Sequence, residues 1–156
     1  MLARRITMEI SKIYEVEIDY RMSLKEMVAA GNYSCVSKAI NDEIFKIPYP
    51  FDIQENVRLA LFEIEGDPLT KMALSRMSRQ GLHVLDIECL LAFGAKFPDL
   101  QRQFPIFALS KAAWGKDPFL CPFLSRNHNG ERKLDLTIVW SYDRWFSPTR
   151  FLAIRK

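Results

Sequence analysis

Lys12-Ile13-Tyr14-Glu15-Val16-Glu17-Ile18-Asp19-Tyr20, followed shortly by Ser23-Leu24-Lys25-Glu26, brings two periodicities together and sets the fold class. In the first stretch Tyr14, Val16, Ile18 and Tyr20 alternate with Glu15, Glu17 and Asp19, the period-two pattern of a half-buried strand. The second is a capping box, in which a Ser hydroxyl and a Glu carboxylate satisfy free N–H groups where a helix starts. Leu24, Met27 and Val28 make the buried stripe of that helix, and Gly31 is expected as its left-handed stop.

Residues 32–56 are less regular. Cys35, Val36 and Ile40 fit another short helix, while Pro48 and Pro50 impose extended backbone around Tyr49. Residues 57–65 carry apolar side chains on both faces, which makes that strand central. Asp67-Pro68 is expected to open a second helix, with Asp as cap and Pro at the first helical position. Leu69, Met72, Ala73 and Met77 line its inner side, and Gly81 ends it. Asp86 is expected to cap a third helix, with Ile87, Leu90, Leu91 and Phe93 apolar, that closes near Pro98. Beyond it the spacing predicts strands over 106–114, 119–124, 133–140 and 149–155, with a polar turn at 125–130 and an aromatic loop at 141–148. The order predicts an α+β single domain over residues 1–156, with short helices packed on a mostly antiparallel sheet and a β-rich C-terminal half. Residues 1–11 are expected as a disordered lead-in, with Met8 as an alternative start, and a soft seam falls near residue 98.

Charge is unevenly placed. Residues 101–156 hold ten Lys or Arg against four Asp or Glu, so that segment carries +6 within a chain of net +3. The imbalance suits an anionic partner, and a nucleic-acid-associated role is the alternative function it suggests. It includes no dense basic cluster, however. No apolar run nears the roughly 18 residues of a membrane span, so no membrane partner and a cytoplasmic location are expected. Cys35, Cys89 and Cys121 are far apart and form no C-x-x-C pair, which reads as free thiols in a reducing compartment.

Catalytic chemistry finds little to build on. His83 stands near Cys89, with Asp86 or Glu88 able in principle to orient it, but a nucleophile pair requires side chains within hydrogen-bond reach. His128 sits in the turn-forming run Arg126-Asn127-His128-Asn129-Gly130. The histidines and cysteines lack zinc-site spacing, and neither a P-loop nor a dinucleotide glycine motif occurs. No metal, cofactor or catalytic residue is expected.

The most informative constellation is Trp140-Ser141-Tyr142-Asp143-Arg144-Trp145-Phe146, followed by Arg150-Phe151. Large amphipathic rings beside Arg in a loop have the chemistry of a binding surface, although the same rings can close one end of a sheet core. The reading is a non-enzymatic binding domain for a protein or small ligand. Its candidate site is Trp114, Asn127, Trp140, Tyr142, Arg144, Trp145 and Arg150, gathered if the hairpin ends meet.

From Gly81 onward the chain resembles an uncharacterised bacterial family. The matching pieces are Gly81 with Glu88-Cys89-Leu90-Leu91-Ala92-Phe93-Gly94, Phe104-Pro105-Ile106-Phe107-Ala108-Leu109-Ser110, Arg132-Lys133-Leu134-Asp135-Leu136, and the ending Trp140, Trp145 and Arg150-Phe151-Leu152-Ala153-Ile154-Arg155-Lys156. That resemblance implies no activity. More remotely, a glycine-led helix start with a Glu, a Trp-bearing loop and a last strand ending in Arg are similar to C-type-lectin-like folds. These include formylglycine-generating enzymes and variable ligand-binding proteins diversified by retroelements. Val84-Leu85-Asp86 stands where that group has Leu-Pro-Thr, and no Gly-Gly-x-Trp precedes the last strands. With no paired cysteines to match, the resemblance implies a scaffold displaying a polar-aromatic loop rather than the enzymatic branch.

Overall fold

In the computed structural model, residues 5–110, 118–146 and 149–156 are described. Their elements run β1 (Thr7–Asp19), α1 (Leu24–Ala30), β2 (Cys35–Val36), β3 (Gln54–Glu65), α2 (Thr70–Arg79), β4 (Leu82–His83), α3 (Ile87–Lys96), α4 (Leu100–Gln103), β5 (Ile106–Phe107), β6 (Phe119–Arg126), β7 (Arg132–Val139) and β8 (Thr149–Arg155). The strands form one mixed sheet in the order β1-β3-β8-β5-β6-β7-β2, with β4 pairing β8 off that path. Only the β2–β7 and β5–β8 pairings among them are parallel, so the architecture is α+β on a mostly antiparallel sheet. β8 lies between β3 and β5, so segments from either side of residue 98 share the sheet.

β3 is central, as its two apolar faces require. Leu59 and Leu61 enter a core with α1 and α3 on one side of the sheet, while Ala60, Phe62 and Ile64 enter a second core with α2 on the other. β1 begins at Thr7, well before the expected start, so residues 7–10 are paired strand rather than lead-in. A bulge between Ile10 and Lys12 re-phases it. Met8 and Ile10 pack into the α2-side core, whereas Tyr14, Val16 and Ile18 pack into the α1/α3-side core.

Three local expectations are corrected. Cys35 and Val36 are not helical but form a two-residue strand parallel to β7. Gly31 caps α1 in right-handed geometry (φ −78°), and the left-handed residue is Asn32 (φ 55°). Gly31 is small for a different reason, since a Cβ there would lie 2.2 Å from Cε2 of Tyr33. Gly94 of α3 leaves room for the same residue, and its Cβ would lie 2.1 Å from the Tyr33 hydroxyl. The third correction is the start of α2, which belongs with the loop described below.

Tyr33 covers a buried arginine. Arg132 is 5% exposed, and its guanidinium lies 4.6 Å from the Tyr33 ring centroid. Nη1 donates to Gly31 O, Nη2 donates to Gly94 O at 2.7 Å, and Nε donates to Gln101 Oε1 at 3.1 Å. Gln101 in turn donates to Ser125 O and Lys133 O across β6 and β7. No carboxylate is needed, because the carbonyls lie toward the C-terminal ends of α1 and α3, where the helix dipole favours a cation. This arginine ties both helices to the β6–β7 hairpin.

Replacing Arg132 by Met keeps the apolar stem and removes every donor. Urea unfolding is expected to show a loss of more than about 2 kcal/mol, from carbonyls left without partners. A loss below about 0.5 kcal/mol, the range of an ordinary surface change, would refute the tie.

Candidate functional site

The aromatic loop owes its course to strand direction. β7 is antiparallel to β6, β6 is antiparallel to β5, and β5 is parallel to β8. β7 and β8 therefore run the same way with two strands between them, and the link after Val139 must return the length of the sheet. It does so on the α2 side. Trp145 packs 5.0 Å from Phe107 and 4.9 Å from Phe151, both edge-on, within the core that holds Ala73 and Met77 of α2.

This link also caps α2. The expected Asp67-Pro68 start is displaced: Asp67 is left-handed (φ 51°), the cap position falls to Leu69, and no side-chain cap is made. The carbonyls of Asp143 and Ser141 accept from the N–H groups of Thr70 and Lys71 at 2.9 and 3.0 Å instead. Trp145 Nε1 donates to Thr70 Oγ1 at 2.8 Å, Trp145 N donates to Pro68 O at 2.9 Å, and Arg144 Nη1 donates to Asp67 O.

The predicted site residues therefore separate. Trp145 is a packing and capping residue, and Arg144 is committed to a backbone carbonyl. Arg150 forms a cross-strand ion pair with Glu63 at 2.5 Å and lies 4.0 Å over the ring of Phe104. Asn127 organises the β6–β7 turn, its Oδ1 accepting from Asn129 N and Glu131 N. The length of β7 lies between that turn and Trp140, about 25 Å at the usual strand rise. The hairpin ends do not gather. Trp114 lies outside the described residues.

Trp140 and Tyr142 remain exposed, at 39% and 64%, and stack on each other with centroids 5.9 Å apart and planes 22° apart. Ile138, two residues before Trp140, is 56% exposed, and Phe146 further along the link is 72% exposed. β2 covers β7 only at Lys133 and Leu134, and Ser34 N and Ser37 N bind Arg132 O and Leu134 O, so even-numbered backbone groups of β7 point outward. Beyond that cover, the Asp135 carboxylate accepts from Leu136 N at 2.8 Å and the Asp143 carboxylate accepts from Trp140 N at 2.7 Å. Capped amides discourage an added strand. Two of the outward amides of this edge are therefore already occupied by carboxylates of the chain itself.

The remaining candidates are dispersed. Cys89 is buried, and desolvation pushes its thiol up to about 12, with Glu88 and Asp86 adding to the shift. His83 is exposed on β4, and no hydrogen bond joins it to Cys89 among the described residues. In the basic segment, Arg102, Lys133 and Arg150 are ion-paired, while Arg132 is buried. No helix is long and apolar enough to cross a membrane among the described residues. Compared with models of protein families, with curated proteins and with solved structures, the chain finds no match.

Two measurements check this division. Trp145→Ala is expected to lower stability by about 3 kcal/mol or more, and Trp140→Ala or Tyr142→Ala by less than about 1 kcal/mol, in urea titrations; equal losses at all three would erase the distinction. Thiol titration of the native chain is expected to register Cys35, which is exposed, with Cys89 and Cys121 reacting only after denaturation.

Proposed function

We propose that this chain is a non-enzymatic binding module that recognises a protein or small ligand through a ledge formed by Ile138, Trp140 and Tyr142. The observation that carries the reading is the stacked pair Trp140–Tyr142, left exposed beside an exposed Ile138. Isolated surface apolar residues are ordinary, but adjacent rings mark contact surfaces. Two rings held against each other have little rotamer freedom left to lose on binding. Arg144 and Trp145, first counted with the contact residues, instead fasten the link to the start of α2 and to the sheet core. The reading keeps the idea of a scaffold presenting a polar-aromatic loop. Association with nucleic acid has no comparable observation behind it, and among the described residues of the basic segment Arg102, Lys133 and Arg150 are ion-paired and Arg132 is buried.

The test compares partners captured by the intact chain, by a Trp140→Ala/Tyr142→Ala double variant and by Met72→Ala, an exposed apolar residue on α2. A partner retained by the first and third and lost by the second, with thermal stability unchanged, is the expected result. A bound set indifferent to the double substitution would dismiss the ledge. Binding of a mixed-sequence oligonucleotide that weakens steeply with salt would favour the nucleic-acid reading instead.

A further inference from the structure

Glu88 is the second residue of α3 and only 5% exposed, yet no cation lies against it among the described residues. Its one hydrogen bond to another side chain comes from the Tyr20 hydroxyl, which donates to Oε1 at 3.3 Å. Burial raises its carboxyl pKa; Asp86 and Glu55 add to the shift, while its own amide N–H and Tyr20 oppose it. A start-of-helix position favours negative charge, but a desolvated carboxylate without a counter-ion remains unfavourable.

Glu88 lines a cavity of about 290 Å³ between β1, α1 and α3. Its apolar walls include Met27, Leu91 and Ala92, with small side chains at Ala30 and Ala95 keeping it open. The other charged groups bordering it are already engaged. Asp19 is held by Arg21 through two 2.8 Å hydrogen bonds, Glu17 accepts from Gln54 at 3.1 Å, and Lys96 donates to Glu15 O at 2.7 Å. Asp19 is ion-paired and Glu17 and Lys96 are exposed to water, so Glu88 is the one charged group bordering this cleft that is buried, where solvent does not screen it.

We infer that the cleft between α1 and α3 binds a small organic cation, its ammonium group against Glu88 and its apolar body along Met27, Leu91 and Ala92. A divalent metal is a poorer fit, since such ions take several oxygen ligands and no group of three ligating side chains exists among the described residues. An anion would be repelled, and a neutral ligand would leave the carboxylate unpaired. The volume lies at the small end of ligand cavities, which limits the guest to a short chain or single ring. This site is separate from the Trp140–Tyr142 ledge, and neither depends on the other.

The probe is n-butylammonium chloride, titrated into the full chain and followed by NMR, with n-butanol as neutral isostere and sodium chloride as salt control. Saturable shifts at Met27, Leu91 and Ala92 are expected, with n-butanol and the Glu88→Gln variant each binding at least about tenfold more weakly. Ala92→Leu, which fills the cleft and leaves Glu88 in place, is expected to abolish the shifts and covers the case in which Glu88→Gln misfolds. Absence of saturable shifts, equal binding of n-butanol, or equal binding by Glu88→Gln would overturn the assignment.

Discussion

Strand direction is the constraint on which the rest of this structure depends. Because β7 and β8 run the same way on either side of β6 and β5, the chain between them must cross the sheet rather than turn tightly. That crossing gives Trp145 a core to enter and gives α2 the carbonyls its own sequence does not supply. It also explains why rings of similar chemistry have unlike fates. Trp145 reaches the sheet face midway along the return, whereas Trp140 and Tyr142 sit at its beginning, where a short turn closed by Asp143 turns them outward.

Where local periodicity governs, the sequence was a good guide. The capping box of α1, the two-faced β3 and the span of β8 all appear as expected. The failures share a cause in partners distant along the chain. Asp67-Pro68 has the composition of a helix start, but Asp143 and Ser141 win because their carbonyls are delivered by the crossing. Arg150 reads as a loop-surface group until Glu63 is found opposite it. The early part of β1 was legible in the alternation of Ile6, Met8 and Ile10. Only the bulge before Lys12, which sends these residues to the opposite core from Tyr14, was invisible, since apolar residues fall on even positions on both sides of it.

Two buried charges show how differently one fold can treat an ion. Arg132 has three oxygen acceptors, an aromatic face and two glycines that make room for that face, so its burial is satisfied and its role is to hold elements together. Glu88 has one long hydrogen bond from another side chain, that of Tyr20, and a cavity at its side. A satisfied network rigidifies a fold, while an incomplete one is where a ligand can contribute. That contrast, together with the exposed stacked rings, separates what builds this molecule from what is left over for binding.

Native-state hydrogen exchange at the amides of Thr70 and Lys71 tests the crossing most directly. If the carbonyls of Asp143 and Ser141 cap α2, both amides exchange as slowly as those of the sheet, and Trp145→Ala accelerates these two before it affects the centre of β3. Amides at Thr70 and Lys71 that exchange as freely as an uncapped first turn, unaffected by loss of Trp145, would contradict the account.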